Sequence, residues 1–164
     1  MNSTQRLTDQ VKLLQKAVVT HQDKFLILQR SQVAHTRPSQ WDLPGGNAVW
    51  PETTIDLKNP HLSDLMREIR EETGLDLASV VQPSDLNLIH LSTYFEVQNN
   101  TYAVIVGYSL VLPAELSTDS IQLSSEHTNW AWISYDEFKT AKYDFGFAGG
   151  EDGFITQMIK AVYG

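Results

Sequence analysis

The chain has 164 residues, 41% hydrophobic and 20% charged, a balance that points to one ordinary globular domain rather than a disordered, fibrous or two-domain protein. Its formal net charge of −8 and pI near 4.9 argue against polymeric nucleic acid or an anionic membrane as partner, although cations supplied locally could still hold a small anionic ligand. There is no cysteine, which excludes disulfides, thiolate metal sites and a cysteine nucleophile.

The opening MNSTQRLTDQ reads as a polar segment over residues 1–10 without the basic-then-apolar pattern of a signal peptide, and no stretch approaches the roughly 18 apolar residues of a membrane span. The expectation is a single domain over residues 1–164 in the cytoplasm, with the oligomeric state unknown. VKLLQKAVVTHQDKFLILQRS then reads as two β-rich runs around a polar turn at residues 21–23, a hairpin. A polar connection, SQVAHTRPSQ, leads into WDLPGG, whose proline and paired glycines suit a chain leaving a strand for a tight loop that runs to about Asn59.

In NPHLSDLMREIREETG, Asn59 suits an N-cap, Pro60 the first helical position and Gly74 the residue past the end. Steps of 100° put Leu62, Leu65, Met66, Ile69 and Thr73 on one face and Glu68, Glu71 and Glu72 on another, so the helix is expected to bury one side and show acid on the other. Farther on, LNLIHLSTYFEV and TYAVIVGYSLVL form a second hairpin around QNN. TNWAWIS reads as a short strand, and YDEFKTAKY and DGFITQMIKAVYG as helices. Strands interrupted by helices make an α/β or α+β layered domain.

The three glutamates oppose helix stability. The 68/71 and 68/72 pairs each cost about 0.2–0.5 kcal/mol as like charges, and anions in the last turn face the negative end of the helix dipole at about 0.3–1 kcal/mol. Arg67, four residues before Glu71, offsets part of this, and a solvated acidic face is the plainest reading. The alternative is chemical: carboxylates one turn apart can converge on hard divalent cations, which would also reconcile an acidic protein with a polyphosphate ligand.

GGNAVWPE followed by REIREETGL resembles the Nudix box, G-x5-E-x7-R-E-U-x-E-E-x-G-U, with U a bulky apolar residue. Gly46 to Glu52 fits the first half and Arg67 to Leu75 fits every fixed position of the second. FLILQRS, SQWDLPGG and SSEHTNWAWISYDEF are similar to the family's strand before the box, its entrance, and its later acidic loop, strand and helix start. One departure stands out: fourteen residues separate Glu52 from Arg67 where the family has seven. We place seven extra residues in the loop at 53–59, so that the helix keeps its normal length.

The resemblance implies a Nudix-like α/β/α sandwich with a mixed β-sheet between helices. It implies that Glu68, Glu71 and Glu72 bind Mg²⁺ or Mn²⁺, with the Gly45 carbonyl completing the coordination and Arg67 orienting the carboxylates. Glu71 or Glu72 would help deprotonate the attacking water, and Glu126 would supply a further ligand or the base. The implied reaction is hydrolysis of a phosphoanhydride in a nucleoside diphosphate linked to another group. Nucleoside triphosphates, oxidised ones included, come first as substrates, and ADP-ribose or nucleotide sugars second; a non-catalytic nucleotide-binding module is the competing class. Isoprenyl diphosphate isomerase chemistry ranks last, for want of a cysteine. Arg30 and Arg37 are candidate phosphate partners by charge and position, and Trp50 a candidate substrate cover. The strand aromatics Tyr94, Phe95, Tyr102 and Tyr108 read as packing, and His35, His61, His90 and His127, lacking zinc-like spacing, as inert polar residues.

Overall fold

The computed structural model describes residues 10–49, 59–77 and 79–164. Trp50, Glu52 and most of the seven-residue extension lie outside the described residues. β1 (Val11–His21) and β2 (Lys24–Arg30) form the expected antiparallel hairpin, turning through Gln22 at φ 55°. β2 then pairs along its length with β6 (His127–Ile133), while its other edge takes the tip of β1 and, farther along, β3 (Trp41–Asp42). The second hairpin joins β4 (Asn87–Glu96) to β5 (Thr101–Val111). Its β5 lies parallel to β1, Val11 opposite Tyr102 through Thr20 opposite Val111. The sheet is therefore mixed, in the order β3-β2-β1-β5-β4 with β6 on β2.

Both faces are covered. In β2, Leu26 and Leu28 point to one face with Ala17 and Val19 of β1, while Phe25 and Ile27 point to the other with Val18, the period-2 alternation of a strand buried on both sides. α1 (Pro60–Thr73) lays Leu65 and Ile69 on the first face; α3 (Phe154–Tyr163) lays Ile155, Met158 and Ile159 on the second. Each of these side chains is fully buried and contributes about 1.5–3 kcal/mol of apolar transfer. The expected α/β/α sandwich is thus present, and no helix among the described residues is long and apolar enough to cross a membrane.

Three local expectations are corrected. Asn59 does not cap α1 with its side chain; it sits in the left-handed region (φ 54°, ψ 45°) and makes no cap bond, because side-chain capping needs an extended backbone at that position. Pro60 does open the helix and Gly74 closes it, its N–H bonded to the Arg70 carbonyl. α2 (Tyr135–Lys139) covers only the start of YDEFKTAKY. A reciprocal Ser134 and Glu137 capping box fixes its beginning, and Ala141 at φ 55° turns the chain out of helix soon after its end. The third correction concerns the acidic face of α1.

Candidate active site

Where β1 parts from β2, its free edge is taken by residues 44–48. Ala17 and Gln15 donate N–H bonds of 2.9 Å to the Pro44 and Gly46 carbonyls, and Ala48 donates to Leu13. The glycine loop is thereby sewn to the sheet beside α1. Gly45 has φ 121°, and a Cβ there would lie 2.4 Å from the Gln15 carbonyl oxygen; at Gly46 it would lie 2.9 Å from a Glu68 oxygen. Only residues without a side chain let the loop come this close to both strand and helix.

The three glutamates divide. Arg67, 40% exposed at its side chain, donates to Asp64 at 2.7 Å, Glu68 at 2.6 Å and Glu71 at 2.7 Å. These bonds, Asp64's foremost, raise the guanidinium's pKa further and orient Glu68 and Glu71, relieving the repulsion the sequence foresaw. Glu71 is 58% exposed at its side chain. Glu72 is not on the solvent face at all. It is 6% exposed and accepts the Gly45 N–H at 2.7 Å. Burial pushes its carboxyl up to about 7, against the opposing pull of the Lys16 charge and the Gly45 N–H.

Beneath the loop lies a second charged group. Lys16, 3% exposed on β1, donates to the Gly45 carbonyl at 2.5 Å and the Leu43 carbonyl at 3.0 Å and meets Asp42 at 3.1 Å. Asp42 is fully buried; it also receives Arg30 at 3.4 Å, a short bond from Arg37, and the Leu43 N–H at 2.9 Å. Burial alone would raise Asp42, but Lys16, Arg37 and Arg30 together outweigh it and hold the carboxyl below its ordinary value. Arg37 is further enclosed by the Phe147 and Phe154 rings, 5.8 and 5.9 Å from their centroids. Arg30 donates to the Thr36 carbonyl at 2.8 Å.

The sequence candidates thus fall into two sets. Gly45, Arg67, Glu68, Glu71 and Glu72 come together at the loop and helix, whereas Arg30 and Arg37 converge on Asp42. Glu126 lies on the segment that passes the end of α1: Gln122 N–H bonds to the Thr73 carbonyl at 2.8 Å, and the Glu126 carbonyl accepts the Ser31 N–H at 2.8 Å. The Glu126 side chain is exposed. Its neighbour His127, read from sequence as inert, is buried with Nε2 3.8 Å from a Glu72 oxygen. Burial and the Lys16 charge lower the His127 pKa to about 4, so the ring is neutral at ordinary pH and the contact is not an ion pair. Lys16 and Asp42 also escaped the sequence reading; a lysine next to the apolar run AVV was the available signal.

The family model for the NUDIX domain matches residues 16–149, a span that contains both charged groups. The chain belongs to the Nudix hydrolase family. Among solved structures, a MutT protein from Methanosarcina mazei Go1 is similar at 19% identity and TM-score 0.64, over 96% of this chain and 97% of that one. A NUDIX hydrolase from Nitrosomonas europaea is similar at 19% identity and TM-score 0.61, over 93% and 88%. The NUDIX domain of Shewanella oneidensis NrtR, complexed with ADP ribose, is similar at 18% identity and TM-score 0.57, over 93% and 88%. At these identities the likeness is one of Nudix fold. No curated protein sequence matches.

The candidate ligands Glu68, Glu71 and Glu72 offer carboxylate oxygens, the donor type of a hard divalent cation. Among the described residues no three acidic or histidine side chains form a ready metal cluster, since Arg67 draws Glu68 and Glu71 and the Gly45 N–H draws Glu72. A buried carboxyl raised to about 7 is nonetheless what an acidic ligand becomes without its counter-charge. In donor chemistry the site fits the cation.

Proposed function

We propose that this chain hydrolyses a phosphoanhydride bond in a nucleoside diphosphate linked to another moiety, with nucleoside triphosphates, oxidised ones included, as first substrates. The observation that supports the reading is that Glu72 and Glu68 meet the glycine loop, the Glu72 carboxylate on the Gly45 N–H and Glu68 beside Gly46, while Glu71 joins them through Arg67. Glu68, Glu71, Glu72 and Glu126 would hold Mg²⁺ or Mn²⁺; the Gly45 carbonyl, which the resemblance adds to this set, accepts the buried Lys16 ammonium at 2.5 Å instead. The bound ions supply Lewis-acid stabilisation of phosphate charge and a more acidic water.

The chain's own groups do the rest. Arg67 orients Glu68 and Glu71 before substrate arrives, so less reorganisation remains for the reaction itself. Glu71 or Glu72 takes a proton from the attacking water. The water oxygen bonds to phosphorus, the bridging P–O bond breaks, and the products are a nucleoside monophosphate and pyrophosphate. With ADP-ribose, the second reading, the products would be AMP and a ribose phosphate; the ADP ribose held by the NrtR domain favours keeping it. The test is product analysis on a panel of nucleoside triphosphates, ADP-ribose, nucleotide sugars and dinucleotides, with Mg²⁺ or with chelator. Metal-dependent release of a nucleoside monophosphate is expected. No turnover by folded protein that binds the metal would leave a nucleotide-binding module instead.

A further inference from the structure

The pairing of β1 with the loop alternates. Pro44 and Gly46 give their carbonyls to the strand, and residue 45 between them turns its polar groups away, as alternation along a paired extended segment directs. Those groups are enclosed and need partners. The Gly45 N–H finds Glu72 at 2.7 Å and its carbonyl finds Lys16 at 2.5 Å, so the residue is gripped from the helix on one side and from the strand on the other. An ammonium has three donors, and Lys16 directs all three at one four-residue segment: the Asp42 carboxylate, the Leu43 carbonyl and the Gly45 carbonyl. A methionine would fill the same volume without the cost of burying a charge, yet it would leave two enclosed carbonyls without donors.

We propose that Lys16, outside the Nudix box motif, is a positioning residue of the active site: by fixing residue 45 it keeps the Glu72 carboxylate in place and so strengthens divalent-cation binding. The proposal rests on the reading of the site given above. Lys16 acts through the loop and touches no reacting atom. A purely structural lysine would set the stability of the fold and leave the cation affinity of folded protein unchanged. A lysine that merely repels the cation would, on removal, make binding tighter.

The test compares wild type with Lys16→Met, using Mn²⁺ alone as the probe, free ion read by electron paramagnetic resonance, and thermal melts confirming that the protein is folded. Binding about tenfold weaker in Lys16→Met, together with about tenfold faster amide exchange at Gly45, is expected; unchanged or tighter binding by the folded variant overturns the proposal. If the variant does not fold, wild-type ¹⁵N spectra decide. A protected Lys16 ammonium signal that shifts as Mg²⁺ is added supports the role, and a signal that is exchange-averaged or indifferent to Mg²⁺ overturns it. Wild-type protein that binds no Mn²⁺ would sink the metal-dependent reading itself, while Gly45 exchange would still report whether Lys16 holds the loop.

Discussion

Asp42 and Glu72 are both buried carboxylates within reach of Lys16, yet they sit in opposite electrostatic states. Asp42 has three cations and an N–H around it and stays ionised. Glu72 has one N–H, a neutral histidine and only the more distant pull of Lys16, and its carboxyl is raised to about 7. Burial is common to the two, so burial does not decide charge; the supply of partners does. The carboxylate with its full complement is structural, and the one left short is the one we propose to gain an external cation.

The comparison breaks most visibly at Asp42. Asp42→Ala strands Lys16 and Arg37 as enclosed cations and should cost about 3–5 kcal/mol of unfolding free energy, measured by denaturant titration. At Glu72 the same kind of change should spare the fold and remove the chemistry: Glu72→Gln should lower metal-dependent turnover by about a hundredfold with an unchanged or higher melting temperature.

The two sites should also differ in pH response. The folded pKa of Glu72 lies above its unfolded value, so its contribution is fully present below about 4.5 and lost as pH rises through about 7. Metal-free wild type should therefore lose about 3 kcal/mol between pH 4.5 and 8 relative to Glu72→Gln, and added Mg²⁺ should recover much of it. Asp42 and His127 act on the acid side. The depressed folded pKa of His127 makes its contribution fall away as pH drops from about 6.5 to 4, and that of Asp42 is lost only below 3.8. His127→Gln should flatten the upper of these two windows in urea midpoints taken across pH. The smallest effect belongs to the exposed end of the site: Glu71→Gln should change stability by only about 0.2–0.5 kcal/mol through loss of its Arg67 bond, while turnover still falls.

Local signals were the legible ones. Both hairpins carried their turns between β-rich runs, and α1 carried Pro60 and Gly74 at its ends together with the box, which is why family and reaction class could be read early. The parallel β1 and β5 pairing was not legible, since nothing in either strand names a partner some ninety positions away. Glu72 falls beside Glu71 only at coarse angular resolution. Counting from the buried stripe would have separated them, because 72 is three past Ile69 and seven past Leu65, the spacing of residues that share a face. Lys16 could be seen but not explained: its acceptors are mostly backbone carbonyls of a distant loop, and carbonyls leave no mark in a sequence.

The long parallel seam bears on how the molecule assembles. Each hairpin closes over a few residues, but joining β1 to β5 closes a chain segment of about ninety, and that entropy must be met before the pairing gives anything back. The glycine loop pairs with β1 on the edge opposite that seam, and α1 packs over the face that both strands build. Joining the two hairpins therefore also lays down the surface on which α1 and the candidate site rest, so a chain in which the seam has not formed should lack that site as well.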